Sequence, residues 1–226
     1  MSRASAAAAA CAAAFAALAG LVSVGELTGV DRWAMAHAMP EARFTAEKPT
    51  VVDALVPLWN SSWNSAVAVV TNVVTVPAAF LVASAIVAAA CLALRNRHAV
   101  LLAGAFVAGN LVEEITKETL TRPPLYAHRL HVAAFDNSFP SGHTIRTVLV
   151  AAAVAAAWPR VAAWAFTWAI GSIVMVEVGA LHVPSDIAGG LLLVAALLAT
   201  TWSLSFGSVS RGRHLSPASR PSARAR

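Results

Sequence analysis

Apolar positions in this chain run on in long blocks, without the alternation of a half-buried strand or the one-sided stripe of a surface helix. Six blocks stand out, at roughly 4–24, 66–94, 99–116, 143–158, 161–181 and 187–206. A helix needs about 20 apolar residues to cross the hydrocarbon core. The pattern therefore predicts an all-α fold, a six-helix transmembrane bundle. The second block is too long for one straight span, and Pro77 is the expected kink. Arg95-Asn96-Arg97-His98 separates the second and third blocks, and the tight Trp158-Pro159-Arg160 turn makes the fourth and fifth spans a helical hairpin.

The basic residues assign the sides. With Arg3, Arg95, Arg97, Arg160 and the arginines after Gly207 in the cytoplasm, every short loop obeys the positive-inside rule. Both termini are then cytoplasmic, and the protein is a multi-pass resident of the cell membrane. Residues 1–206 form the membrane domain, and 207–226 a basic, disordered tail rich in Arg, Ser and Pro. Residues 25–65 form an outer segment whose Trp33, Trp59 and Trp63 suit the bilayer interface. The first block exceeds the ~7–15 apolar residues of a signal peptide and is expected to be an uncleaved helix.

Composition narrows the class. Of 226 residues 58% are hydrophobic and only 12% charged, too few charges to cover a soluble domain of this length. The formal net charge of +5 does not point to nucleic acid, because its excess arginines fall in the short loops and the tail. Cys11 and Cys91 both lie inside apolar blocks, which reads as two inert buried thiols.

Two short strings carry candidate chemistry: Pro140-Ser141-Gly142-His143, and His182 followed four residues later by Asp186. Each opens an apolar block on the outer side. Counted from the Trp158-Pro159-Arg160 turn, the two histidines differ in height by roughly 9 Å at ~1.5 Å per residue. Tilt or an early end to the fifth helix absorbs that difference, so the rings can face each other. Ser141 and Gly142 open a helix whose free N–H groups and dipole favour an anion, and Gly142 lets a phosphate oxygen approach the backbone. His182 suits a nucleophile if Asp186 holds its other ring nitrogen. His143 suits the general acid, and Lys117 and Arg122 supply charge for phosphate oxygens. The scheme requires no metal and no cofactor. Each string alone is ordinary: a helix start, a capped histidine, an i,i+4 pair of Lys117 with Glu113. Their joint placement at one membrane face gives them weight.

These residues resemble the type-2 phosphatidic acid phosphatase superfamily, whose signature is Lys-x6-Arg-Pro, Pro-Ser-Gly-His and Ser-Arg-x5-His-x3-Asp. Pro140 to His143 match the middle motif in full, and His182 with Asp186 match the end of the third. The resemblance implies His182 as nucleophile, His143 as general acid, Asp186 as orienting carboxylate, and Ser141 and Gly142 as phosphate contacts. It implies a lipid phosphate as substrate, with the site at the outer face of six helices.

Two departures stand out. Only four residues separate Lys117 from Arg122, and the family's Ser-Arg pair falls on Met175 and Val176. Arg146, three residues after His143, is the candidate replacement for the missing arginine, with an intramembrane pair to Glu177 as its alternative. His128, Arg129 and His131 read as exposed loop residues, and Asn137 and Ser138 as shaping the approach to Pro140. Two other functions remain compatible with the sequence: a non-catalytic scaffold or lipid-binding member of the family, and a transporter using Arg146 and Glu177.

Overall fold

The computed structural model describes residues 2–39, 77–95, 97–127, 130–178 and 181–207. The early part of the second block, Trp59, Trp63, His128, Arg129 and the tail beyond Gly207 lie outside the described residues. The described chain is almost entirely helical: α1 (Arg3–Ser23), α2 (Thr28–His37), α3 (Pro77–Leu94), α4 (Arg97–Thr119), α5 (Gly142–Ala157), α6 (Ala162–Val178) and α7 (Pro184–Gly207). Two single 3-10 turns, Ala133–Phe135 and Pro159–Val161, flank α5. Between α4 and α5 a two-residue ribbon pairs β1 (Tyr126–Ala127) with β2 (Leu130–His131).

Among the described residues, four helical stretches are long and apolar enough to cross a membrane: Arg3–Ser23, Arg97–Thr119, Pro159–Val178 and Pro184–Ser205. Leu81–Leu94 and Gly142–Ala157 are apolar but shorter. The protein is therefore a helical membrane protein, and four of the six blocks read from the sequence hold a described helix long enough to span. α3 is described from Pro77 onward, so the kink expected at Pro77 falls at the edge of the described residues.

α5 is the central helix, packed against α3, α4, α6 and α7, while α1 lies along α7. One core joins α3, α4, α5 and α7 through Val87, Phe106, Ile145, Leu149, Val150 and Val194. A second, smaller core gathers Ala34, Met35 and Met39 after α1 with Leu125, Val132, Phe135 and Val183. It folds α2 over the end of the bundle at which α4 finishes and α5 and α7 begin. The turns carrying Arg95, Arg97 and Arg160 lie at the opposite end.

Two local features set that end. Gly25, at φ +82°, turns the chain from α1 into α2, and a Cβ there would lie 2.8 Å from Pro123 Cγ. The α1–α2 turn thus seats itself on the Arg122-Pro123 corner. α6 is described to Val178, and by Leu181, whose N–H donates to Val176 O at 3.0 Å, the chain has left the helix. The helix has thus ended before His182, and the height difference expected between the two histidines is absent.

Candidate active site

Helix heads position both strings. Ser141 caps α5: its hydroxyl accepts from Thr144 N–H at 3.3 Å, and its own N–H donates to the Asp186 carbonyl at 2.9 Å. Pro184 opens α7 with Asp186 in its first turn, where the dipole favours a carboxylate. The two heads are thereby joined backbone to backbone, and the histidines meet between them.

His143 Nδ1 lies 2.9 Å from His182 Nε2, with the rings edge to face at an interplanar angle of 74°. His182 Nδ1 faces Asp186 Oδ2 at 3.3 Å. That contact puts the Nδ1 proton on the carboxylate side and leaves the His182 Nε2 lone pair toward His143; the tautomer is inferred from partners. His143 Nε2 is buried without a hydrogen-bond partner.

Asp186 is fully buried and heavily held. Oδ1 accepts from Arg122 Nη1 at 2.9 Å, and Oδ2 accepts from Ser138 Oγ at 2.6 Å and, weakly, from Val183 N–H at 3.4 Å. Arg122 is held from its other side by Asp31, Nη2 to Oδ2 at 2.5 Å. Asp31 also accepts from Ser185 N–H at 3.1 Å and Ser185 Oγ at 2.7 Å. Burial pushes the Asp31 carboxyl above the usual carboxylate range, opposed by the Ser185 hydrogen bonds and then by the Arg122 charge.

Lys117 and Arg146 sit elsewhere. Glu113, 2% exposed, holds Lys117 Nζ on Oε1 and Arg146 Nη2 on Oε2, each at 2.6 Å. Arg146 Nε donates to Asn110 Oδ1 at 2.8 Å. The carboxylate of Glu113 lies against Gly142, where a Cβ would run into it.

The residues singled out in the sequence thus fall into two groups. His143, His182, Asp186, Ser141 and Arg122 form one continuous network, with Arg122 reaching Asp186 rather than joining Lys117. Lys117, Arg146 and Gly142 surround Glu113. The i,i+4 pairing of Lys117 with Glu113 is present. Arg146 pairs with Glu113 and Asn110, not with Glu177, because these two residues share the face of α4 turned toward α5. Ser138 does more than shape a loop, since its hydroxyl reaches Asp186.

Asp31, Asn110 and Ser185 were not singled out by the sequence. Asp31 did leave a trace: with Ala34, Met35 and Met39 it follows helical spacing, a carboxylate on an otherwise apolar face.

A cavity of about 630 Å³ runs between α3 and α4, lined by Val87, Cys91, Phe106 and Val107, and reaches Asn110 and Arg146 at one end. It is mostly apolar with a charged head end.

Comparison with known families decides the assignment. The PAP2 superfamily model matches residues 98–209, from the start of α4 past the end of α7. Through this segment the chain belongs to the PAP2 superfamily. PAP2 members are phosphatases, so the coarse activity of this PAP2 chain is that of a phosphoric ester hydrolase acting on lipid-like phosphates. No curated protein and no solved structure matches the chain.

Proposed function

We propose that the protein is an integral membrane lipid phosphatase that cleaves a lipid phosphomonoester or pyrophosphate through a phosphohistidine on His182. Substrates of the phosphatidic acid, phosphatidylglycerol phosphate or undecaprenyl pyrophosphate class fit the reading. The observation that carries it is the His143–His182 contact at 2.9 Å, with Asp186 behind His182, at the heads of two helices.

Asp186 fixes the Nδ1–H tautomer of His182, so Nε2 presents a lone pair to phosphorus. In-line attack needs nucleophile and phosphorus at about 3–3.5 Å, so the rings separate to admit the phosphoryl group between them. His143 then donates its proton to the departing oxygen while the P–O bond breaks and the N–P bond forms. In the second step the same His143 takes a proton from water, which attacks phosphorus and releases inorganic phosphate from His182. Lys117, Arg146, the Ser141 hydroxyl and the Gly142 N–H at the head of α5 stabilise the equatorial oxygens. Arg122 fits a different role from the one its spacing suggests: it supports Asp186, and through it the nucleophile.

The apolar cavity ending at Arg146 supports a lipid substrate, since it offers room for a chain beside the proposed phosphate position. Orientation follows from charge: the turns with Arg95, Arg97 and Arg160 take the cytoplasmic side, which puts the histidines at the extracytoplasmic face.

One observation favours a second reading, a non-catalytic family member that binds lipid. All three basic residues assigned to phosphate are tied to carboxylates. A panel of lipid phosphates with purified protein in detergent separates the two. The phosphatase reading expects phosphate release without added divalent metal, inhibition by vanadate, and near-total loss in His182→Ala. Equal release by wild type and His182→Ala would sink it.

A further inference from the structure

We propose that Glu113 occupies the phosphate position in the resting protein, as an internal anion that the substrate displaces and that sets how tightly oxyanions bind. The inference rests on the phosphate-binding role given to Lys117, Arg146 and Gly142 above, and goes beyond it.

Glu113 projects from α4, yet its carboxylate lies against Gly142, the first residue of α5. A glycine there leaves room for an oxygen to approach the backbone where helix N–H groups and the dipole attract an anion. The oxygen that makes the approach belongs to Glu113.

Its partners point the same way. One carboxylate oxygen holds Lys117 and the other Arg146, both at 2.6 Å. Asn110 steadies Arg146 from the same face of α4. Two cations and a glycine gap beside the head of α5 form a receptor for one tetrahedral or planar anion, and a carboxylate fills it. Beside it the two histidines touch each other.

A phosphate monoester brings three terminal oxygens and up to two charges where Glu113 brings two oxygens and one. Exchange therefore gains charge and acceptors around Lys117 and Arg146. The carboxylate is a competitor of fixed effective concentration, and it limits the affinity for any oxyanion, including product. Glu113 is a positioning residue here: it acts through Lys117 and Arg146 and touches no reacting atom.

Glu113→Gln keeps the shape and can still accept from Arg146, but carries no charge. Wild type and variant are compared for vanadate and inorganic phosphate inhibition, KM and kcat. The inference expects the inhibition constant to fall at least about tenfold, the weight of one charge-assisted hydrogen bond no longer contested. KM falls with it, and kcat drops because phosphate leaves more slowly. If Glu113 only organises its cations, inhibition weakens or stays the same and KM rises, which overturns the inference.

A measurement on wild type does not depend on the variant folding. A membrane-permeant carbodiimide should modify Glu113 faster when vanadate is bound, because the carboxylate has left its partners; equal or slower modification overturns the inference. A wild type that neither releases phosphate nor responds to vanadate overturns the phosphatase reading and this one together. An active, vanadate-sensitive wild type whose Gln variant is no more sensitive overturns this inference alone.

Discussion

Replacing Asp31 with alanine tests whether the segment before the PAP2 match holds the nucleophile in place. Asp31 accepts three hydrogen bonds, from Ser185 N–H, Ser185 Oγ and Arg122 Nη2. Both Asp31 and the Arg122 guanidinium are buried, with side-chain exposures of 0% and 3%. Removing one member of a buried ion pair costs about 3–5 kcal/mol, chiefly because the other charge is left behind. Arg122 keeps Asp186, so the lower end applies, about 3 kcal/mol. At about 2–4 °C per kcal/mol for a chain of this size, the melting temperature falls by roughly 6–12 °C. The assay is tryptophan fluorescence of purified protein heated in detergent, alongside phosphate release at a temperature where the variant is folded. Activity should fall more than the folded fraction does, because Arg122 is free to pull Asp186 from His182. A melting temperature within about 2 °C of wild type, with full activity, would refute the reasoning.

Other substitutions test separate contacts. Asp31→Asn retains an acceptor and should destabilise less than the alanine. Burial raises the Asp31 pKa, so its stabilising contribution is complete below about pH 4, the unfolded value, and is lost as pH rises through the folded value. The melting-temperature gap between wild type and Asp31→Asn should therefore widen as the pH is lowered from neutral toward about 4; a narrowing gap contradicts the burial argument. Gly142→Ala would put a methyl where the Glu113 carboxylate lies and where phosphate is proposed to bind, so phosphate release should fall by about 100-fold or more, and near-wild-type rates would refute the tight approach. Ser138→Ala removes the 2.6 Å donor to Asp186 and should cost about 1–3 kcal/mol of stability, read by denaturation, with a smaller change placing that hydroxyl on Phe135 O instead.

Much of this arrangement was legible in the sequence because it depends on local periodicity. Apolar blocks bounded by Arg95-Asn96-Arg97 and Trp158-Pro159-Arg160 gave helices whose described ends fall close to the expected ones. The Pro-Ser-Gly-His string gave a helix head, and His182 with Asp186 one turn. Partner choice across the bundle was not legible. Arg146 lies three residues after His143, and nothing in that spacing says whether α4 or α6 supplies its carboxylate; the rotation of α5 decides for Glu113. Arg122 looked like a phosphate ligand because Asp186 was already assigned to His182. Asp31 reaches Arg122 across 91 positions of chain, through a turn set by Gly25 and a small core under α2. Such contacts follow from the packed fold, and no local pattern announces them.

The central claim is that His182 carries the phosphoryl group between substrate and water. Brief mixing of purified protein with a lipid phosphate labelled in its terminal phosphoryl group, followed by a base quench, tests it most directly. Base-stable, acid-labile label on His182, present in wild type and absent from His182→Ala, is the predicted result. Rapid turnover with no protein-bound label, or label on another residue, would contradict it.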